Sequence, residues 1–415
     1  MKIAIIGAGG AGLMAAWLLD ERHQVTVFER EHRVGGHAQT LAVTHRGQEI
    51  PVSAGLHFFS RRMHPRFVRL LEHLGVPLRE YEQTLTFVDR SSGRALCLPP
   101  TGTAARVATL LGKGAVSTLL QFRRTLAAAE SLVVGGDWAL TFGDFIGRLD
   151  LPRTFVDGFL LPFFGSNWGV KTDEIAAFSA RAVLSYTTLH RPSGLRPYLW
   201  TEIDAGVQTY AEALARAAGR ARVLQGSEVS GVTRDGGSWQ VHTATGPEGG
   251  FEHLVFASNA RVAEAALAGV AGAEPLRSIL RSFEYFETRI AIHRDASFLP
   301  ADRRHWSLVN LARETDFCAI HHWVGLRQDV DLFRSWITHY ASRPRDIVGE
   351  LVYEHARPTP GHYAAQARLA PAQGRDGLWF AGVYTRGFDN HESALESGID
   401  VARQIGAGER IRLFD

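Results

Sequence analysis

The hydrophobic pattern is clearest in the first thirty residues. The run from Lys2 to Ile6 has no polar residue after Lys2, which is typical of a strand buried on both faces of a parallel sheet. Residues 7–12 are rich in glycine, and residues 13–19 contain no helix breaker. A second, mostly apolar run at residues 25–28 ends at Glu29. The pattern predicts a strand, a glycine-rich turn, a helix, a second strand and an acid.

Each part of this G-x-G-x-x-G unit has a physical use. Gly7 permits a tight turn, Gly9 lets the backbone approach a pyrophosphate, and Gly12 lets the helix pack close to the sheet. The helix N-terminus offers free N–H groups to phosphates, and Glu29 can accept hydrogen bonds from ribose hydroxyls. The alternative is an ordinary glycine-rich turn. The unit predicts an adenine dinucleotide site but does not separate NAD from FAD, and neither does Arg30.

Hydrophobic periodicity then alternates between helix and strand along the chain. We expect helices at residues 65–75, 103–149, 173–186 (with Thr172 as N-cap), 206–218 and 391–405, and a rigid loop at 191–197. Residues 41–49 predict a hairpin around Arg46-Gly47, and residues 235–237 and 246–250 predict turns. The expected strands are 85–88, 95–98, 223–224, 228–232, 239–243, 253–257, 289–294, 306–310, 321–323 and 378–383.

These elements predict an α/β fold with two interleaved domains, because 415 residues exceed one ordinary core. The first is a Rossmann-like cofactor domain with a parallel sheet and a β-hairpin meander, assigned to residues 1–60, 204–275 and 374–415. The second is a mixed sheet-and-helix substrate or cap domain, assigned to residues 61–203 and 276–373.

Composition narrows the class of protein. The net charge is +2 and 21% of residues are charged, so no field suited to nucleic acid is indicated. Cys97 and Cys318 are isolated in sequence, which fits a reducing compartment. The dinucleotide motif begins next to Met1, and no apolar run is long enough to span a bilayer. We therefore expect a cytoplasmic enzyme with no metal ligand set.

The helical stretch at residues 103–149 leaves two interpretations open. Lys113, Arg123 and Arg124 lie beside a leucine-rich face, as in helices that contact membrane surfaces. An ordinary helix of the cap domain has the same pattern.

Several segments together resemble a known superfamily. They are residues 3–19 (IAIIGAGGAGLMAAWLL), 28–40, 200–214 (WTEIDAGVQTYAEAL), 288–310 and 379–402. The chain resembles the flavoprotein superfamily of amine oxidases, phytoene desaturases, protoporphyrinogen oxidase and UDP-galactopyranose mutase. Within it, the chain is most similar to bacterial amine-oxidase-like flavoproteins usually described as NAD/FAD-binding proteins.

The resemblance implies FAD in an extended pose. Gly7, Gly9 and Gly12 would hold the pyrophosphate, and Glu29 the adenosine ribose. The candidate contacts beyond these are Arg30, Gly35, Gly36, His37, Gly55, Leu56, Val229, Gly382, Glu392, Ser393, Ala394 and Ile399. Gly55 and Leu56 would line the isoalloxazine ring, Val229 the adenine, and the segment Glu392 to Ile399 the ribityl and pyrimidine end. His37 is also a conceivable covalent tether.

The chain departs from the resemblance near the flavin. Gly382 is followed by Val383 instead of an acid, and Thr288-Arg289 stand where many amine oxidases carry a lysine. The final loop has no cysteine tether, and Asp389-Asn390 are inserted before His391. These departures argue against simple amine oxidation.

The leading hypothesis is an FAD-dependent oxidoreductase that transfers hydride from a C–H bond of an apolar or amphipathic small molecule to flavin N5. A redox-neutral double-bond isomerase or mutase and a non-catalytic FAD-stabilised interaction protein are the alternatives. The candidates for proton handling or positioning are His57, Tyr384 and His391. The candidates for the substrate pocket, in and near an aromatic-rich stretch at 155–169, are Phe164, Asn167, Trp168 and Trp200.

Overall fold

The apolar runs near the N-terminus form the centre of a parallel sheet in the computed structural model, which describes residues 1–99, 103–190 and 198–415. The sheet contains Lys2–Ile6 (β1), Gln24–Phe28 (β2), Arg222–Leu224 (β9), His253–Phe256 (β13) and Leu378–Phe380 (β19). The order is β19-β13-β1-β2-β9, with every pairing parallel. Because both faces are covered, Ile3, Val27 and Phe256 are all buried, which explains the continuous apolar runs. The predicted parallel sheet is confirmed.

Helices and a small antiparallel sheet cover this parallel sheet. One face packs against Gly10–Leu19 (α1), Gln208–Ala217 (α9) and His391–Ile405 (α13), which share one hydrophobic core. The other face packs against the meander Val229–Asp235 (β10), Ser238–Thr243 (β11) and Gly246–Phe251 (β12), and against Ala260–Ala266 (α10). The predicted turn at residues 246–250 is instead β12. Gly246 pairs with Thr243 of β11, Gly249 and Gly250 fall at a break in the register, and buried Phe251 pairs with Trp239 at the end of the strand.

The second large sheet is mixed, as expected from the sequence. It contains Leu85–Asp89 (β6), Arg94–Leu98 (β7), Tyr285–His293 (β14), Val309–Arg313 (β15), Cys318–Trp323 (β16), Phe333–Trp336 (β17) and Ile347–Ala356 (β18). The order is β18-β14-β17-β16-β15-β6-β7, and only the β15–β6 pair is parallel. Strands of the two sheets therefore alternate along the chain, while the domain boundaries themselves stay a prediction.

The helices beside the mixed sheet are more broken than expected. They are Ala104–Ala108 (α3), Ala115–Gly135 (α4), Phe142–Gly147 (α5), Arg153–Phe155 (α6), Leu161–Trp168 (α7) and Ala180–His190 (α8). The predicted helix at 103–149 is interrupted because Gly114 takes a left-handed φ of 84° and Gly136 is extended. The predicted helix at 173–186 is confirmed only from Ala180 onward. Phe178 is extended and fully buried, so only a short turn at Glu174–Ala177 precedes α8.

The remaining elements connect the two sheets. Thr40–His45 (β3) and Gln48–Ser53 (β4) form the predicted hairpin, and Leu78–Glu82 (β5) pairs with Leu199–Ile203 (β8). The other helices are Pro65–His73 (α2), Glu274–Leu280 (α11) and Pro360–Leu369 (α12). The predicted rigid loop at 191–197 lies outside the described residues. Within the described ranges, we find no helix that is long and apolar enough to cross a membrane.

Candidate active site

One large cavity, of about 1390 Å3, is lined by residues of both sheets. At one end, its wall contains Gly9 and Glu29, at the carboxyl ends of β1 and β2. At the other end, Phe122, Phe163 and Trp168 line an aromatic compartment beneath α4 and α7. The cavity therefore joins the predicted dinucleotide motif to the aromatic-rich stretch.

The glycine loop after β1 forms a cradle at the first end. A Cβ atom on Gly9 would meet no protein atom within 4 Å, and Gly9 lies in the cavity wall. A Cβ on Gly12 would overlap the carbonyl oxygen of Gly7, so this glycine is needed for packing. Gly12 does not line the cavity. The Gly35 N–H donates to the Ala8 carbonyl at 2.7 Å, which places Gly35 and Gly36 against the first loop.

Glu29 stands beside this cradle. It is 7% exposed, and its carboxylate accepts hydrogen bonds from the N–H groups of Ala8 (2.7 Å) and Glu31 (2.9 Å). Arg30 lines the cavity edge and pairs with Glu31 at 3.2 Å. Further along, Val229 joins the wall at the start of β10. These residues, which were predicted as cofactor contacts from the sequence, therefore lie together at this end of the cavity.

In the middle of the cavity, Gly55 and Leu56 line the wall. Arg334 holds this wall segment, Ala54 to Leu56, in place. A Cβ on Gly55 would overlap the His37 carbonyl oxygen, so only glycine fits. The Arg334 side chain donates to the carbonyl oxygens of Ala54 (2.7 Å) and Gly55 (3.0 Å). Burial lowers the pKa of Arg334 to about 10, so its guanidinium stays charged at neutral pH. Arg334 is 3% exposed and forms no ion pair with a described residue. No pattern in the sequence had indicated this residue.

His57 and His322 stand next to this segment. Their rings are 5.2 Å apart, and both line the cavity. Burial, reinforced by the charge of Arg334, lowers the pKa of both imidazoles well below 6.5. Both nitrogens of His57 and Nε2 of His322 lack a hydrogen-bond partner among the described residues. These neutral imidazoles are therefore free to bind a polar group in the cavity.

Two other proposed catalytic residues occupy different surroundings. His391 Nε2 lies 2.6 Å from the Tyr210 hydroxyl, and the ring covers Gly10 at the start of α1. Burial lowers the pKa of His391 to about 3. This places His391 at the phosphate end, whereas the sequence placed it near the flavin ring. Tyr384 lines the cavity, its buried hydroxyl has no described partner, and burial raises its pKa well above 10.

Three of the predicted cofactor contacts in the last segment have partners within the protein instead. Glu392 accepts hydrogen bonds from the N–H groups of Arg66 (2.8 Å) and Phe67 (3.0 Å), and so caps α2. The Ser393 N–H donates to the Asn390 side chain at 2.7 Å. Ile399 is 2% exposed in the core with α1. None of the three lines the cavity, whereas Gly382 and Ala394 do.

A buried Asp–His pair lies in the cavity wall. Asp389 Oδ2 is 3.0 Å from His355 Nδ1, and Trp336 stacks on the His355 ring at 6.1 Å. Burial alone would raise the pKa of Asp389, but hydrogen bonding to His355 and nearby imidazoles lower it. His37 lines the same wall, 5.7 Å from the His355 ring. The sequence singled out the Asp389-Asn390 insertion but contained no signal for its partner on β18.

The aromatic compartment contains three of the four predicted pocket residues. Asn167, Trp168 and Trp200 line the cavity. Phe164 does not, because it is fully buried and packs edge-on against Phe142 at 5.2 Å. The further lining residues that the sequence did not identify include Leu119, Phe122, Leu126, Phe163, Tyr186 and His190.

The cavity contains neither a lysine nor a metal cluster in the part of the chain that the structure describes. Thr288, at the position of the expected family lysine, is fully buried outside the cavity wall. Arg289 is exposed and lies 3.8 Å from Glu350.

The comparisons with known proteins agree with this geometry. Residues 11–282 match the model of the flavin-containing amine oxidoreductase family. No curated protein matches the chain.

Solved structures share the fold over nearly the whole chain. A CLA-producing fatty acid isomerase from P. acnes is 16% identical, with a TM-score of 0.71 and coverage of 97% of this chain and 98% of that one. Wild-type putrescine oxidase bound to putrescine is 13% identical, with a TM-score of 0.68 and coverage of 98% and 99%. Cyclohexylamine oxidase from Brevibacterium oxydans IH-35A is 16% identical, with a TM-score of 0.65 and coverage of 97% and 99%.

The residues present fit the flavin cofactor of that family. The open side of Gly9 leaves room for a pyrophosphate at the N-terminus of α1, and Glu29 lies where a ribose can bind. The cavity continues from there to the Ala54–Leu56 wall segment. FAD is therefore the cofactor that the cavity accommodates.

Proposed function

The chain belongs to the flavin-containing amine oxidoreductase family, and from this premise we propose that it is an FAD-dependent oxidoreductase acting on an apolar or amphipathic small molecule. In the proposed reaction, a C–H bond of the substrate loses hydride. FAD would supply the hydride acceptor, N5 of the flavin. The observation that carries the proposal is the continuous cavity, in which the dinucleotide cradle opens into an aromatic compartment.

The compartment supports an apolar substrate. Its wall combines Leu126, Phe163 and Trp168 with Trp200, and these side chains exclude water from the reacting end. The neutral imidazoles of His57 and His322 could orient one polar group of the substrate. The hydrogen-bonded pair of Asp389 and His355 in the cavity wall could take up a proton during the reaction.

The buried charge of Arg334 disfavours a protonated amine beside the Ala54–Leu56 segment, whereas acids such as Glu82 and Asp389 line other parts of the cavity. Arg334 carries a buried positive charge with no acidic partner among the described residues. Two unit charges of the same sign 4 Å apart repel by about 4 kcal/mol at an effective dielectric constant of 20. This repulsion supports the expectation that simple amines are poor substrates.

A redox-neutral double-bond isomerase is the second candidate. The P. acnes protein, described as a fatty acid isomerase, shares the fold across nearly the whole chain. The apolar compartment would accept an unsaturated chain equally well.

Anaerobic bleaching of the flavin tests the proposal. Purified FAD-loaded protein is mixed with unsaturated fatty acids, apolar terpenoids, putrescine or cyclohexylamine, and flavin absorbance is followed. We expect bleaching by apolar compounds and none by the two amines. Conversion of a substrate without net bleaching or acceptor consumption would establish the isomerase instead. Bleaching by amines alone would contradict the proposal, as would an apo-protein that takes up no FAD. Protein that neither bleaches nor converts any compound would favour a non-catalytic interaction protein.

A further inference from the structure

Exposed apolar side chains concentrate around the start of α4. Ten large apolar side chains among the described residues are exposed, and five of them lie between Val107 and Val134. Leu111 is 88% exposed, Leu120 62%, Val116 56% and Val107 46%. Val116 and Leu120 are one helical turn apart, so they lie on the same face of α4. Clusters of this kind mark sites of contact with another apolar phase.

The part of this region that precedes Glu130 carries charge of one sign. Residues 90–129 contain no Asp or Glu, although the whole chain is nearly neutral. Lys113 and Arg123 are exposed and form no ion pair with a described residue. Arg124 is also exposed, and donates to the Asp150 carbonyl oxygen at 3.0 Å. We call the exposed apolar side chains Val107, Leu111, Val116 and Leu120, with the basic side chains Lys113, Arg123 and Arg124, the α4 surface.

The α4 surface is continuous with the cavity wall. Leu119 and Phe122 line the aromatic compartment from the inner side of α4. Arg123 lines the cavity and is also exposed. One helix therefore presents apolar groups to the compartment on one side and to the surroundings on the other.

From this placement we propose that the α4 surface docks on an anionic phospholipid bilayer, so that apolar molecules dissolved in the bilayer lie next to the cavity. Apolar side chains would enter the boundary between headgroups and acyl chains, and the basic side chains would contact the anionic headgroups. A second copy of the chain fits less well. A symmetric contact would bring the same basic side chains together, with no acid in residues 90–129 to pair with them.

Vesicle flotation tests the docking without any turnover, so its outcome is independent of the proposed oxidation. FAD-loaded protein is mixed with vesicles of phosphatidylcholine alone or with an equimolar amount of phosphatidylglycerol. We expect binding to the anionic vesicles that weakens as salt is raised, and little binding to neutral ones. Absence of binding to the anionic vesicles at low salt would overturn the proposal.

Variants separate the apolar and electrostatic contributions. Leu111→Ser, Val116→Ser and Leu120→Ser combined should lower the partition coefficient at least about tenfold. Lys113→Gln and Arg123→Gln should each lower it about fivefold, on anionic vesicles only. The matched control is Leu326→Ser with Val348→Ser, since these side chains are 39% and 41% exposed but lie elsewhere. An equal loss in the control would contradict the proposal. If the triple variant instead converts a dimer into a monomer in light scattering, the surface is a self-association site and the proposal is wrong.

A fluorescent label reports the location directly. Both native cysteines are buried, so Leu120→Cys provides a single reactive thiol. An environment-sensitive dye on that thiol should shift to the blue when phosphatidylglycerol vesicles are added. The same dye on Val348→Cys should not shift. A shift at both positions, or at neither, would contradict docking through α4.

Discussion

Acidification is an informative perturbation because the core contains many neutral histidines. Six of them are at most 8% exposed: His64, His190, His293, His321, His322 and His362. Burial lowers the pKa of His64, His190, His293 and His362 to about 4, and that of His321 and His322 well below 6.5. In the unfolded chain, the same imidazoles titrate near 6.5.

The direction and size of the effect follow from these pKa values. Below pH 6.5, the unfolded chain binds protons that the folded protein does not, so stability is complete above 6.5 and is lost as the pH falls toward 4. Between pH 7 and pH 5.5, the lowered pKa of each of these imidazoles removes about 1 kcal/mol from the free energy of unfolding. The six together remove about 6 kcal/mol, within the usual total stability of about 5–15 kcal/mol. We therefore expect unfolding between about pH 5 and pH 6.

The assay is a potentiometric comparison of folded and urea-unfolded protein at about pH 6.2, above the expected unfolding transition. The unfolded form should bind about four more protons. His190→Phe should lower this difference by about one, because neither His190 nitrogen has a described partner and its ring packs 4.0 Å from Trp200. The exposed His32 provides the control, and His32→Gln should leave the difference unchanged. A difference below about two protons would refute the reasoning, because the imidazoles would then titrate equally in both states.

Three further predictions concern the cavity. Gly9→Val should fold without retaining FAD, because its side chain projects into the open cradle, whereas Gly12→Val should lower Tm, because it would overlap Gly7; circular dichroism melting and flavin absorbance separate the two, and a yellow Gly9→Val protein would contradict this placement. Glu29→Gln should raise the Kd for FAD about tenfold to a hundredfold in fluorescence titration, because charge-assisted hydrogen bonds contribute about 1.5–3 kcal/mol; the exposed Glu49→Gln is the control, and an equal effect of both would count against Glu29. Asp389→Asn should slow flavin reduction, because an amide does not accept a proton as a carboxylate does; an unchanged rate in stopped-flow measurements would exclude the pair from proton transfer.

The N-terminal end of the cavity was predictable because its determinants are local. The β1 strand, the glycine loop, α1 and Glu29 follow one another within thirty residues. Each has a sequence pattern that reflects a steric or hydrogen-bonding requirement. The alternation of elements also predicted the two sheets, since continuous apolar runs and alternating runs differ in burial.

The contacts between distant segments could not be read from the sequence. Glu392 lies in the first turn of α13, where an acid is common. The N–H groups in α2 that it accepts hydrogen bonds from lie 325 and 326 positions away in sequence. The Asp389–His355 pair depends on how the last loop approaches β18, which no periodicity encodes. The break before α8 arises because Phe178 is buried in an extended conformation, a tertiary contact that overrides helix propensity.

The hydrogen bonds from Arg334 limit how freely the mixed sheet of this chain can be replaced by that of a relative. Arg334 lies on a strand of the mixed sheet, yet it holds Ala54 and Gly55, in the segment that follows β4. A chimera that takes β17 from a relative without this arginine would leave the buried Ala54 carbonyl unpaired, at about 1–3 kcal/mol, and the partly buried Gly55 carbonyl as well. The mixed sheet is therefore not a self-contained module. Any graft that preserves the shape of the cofactor wall has to carry the arginine with it.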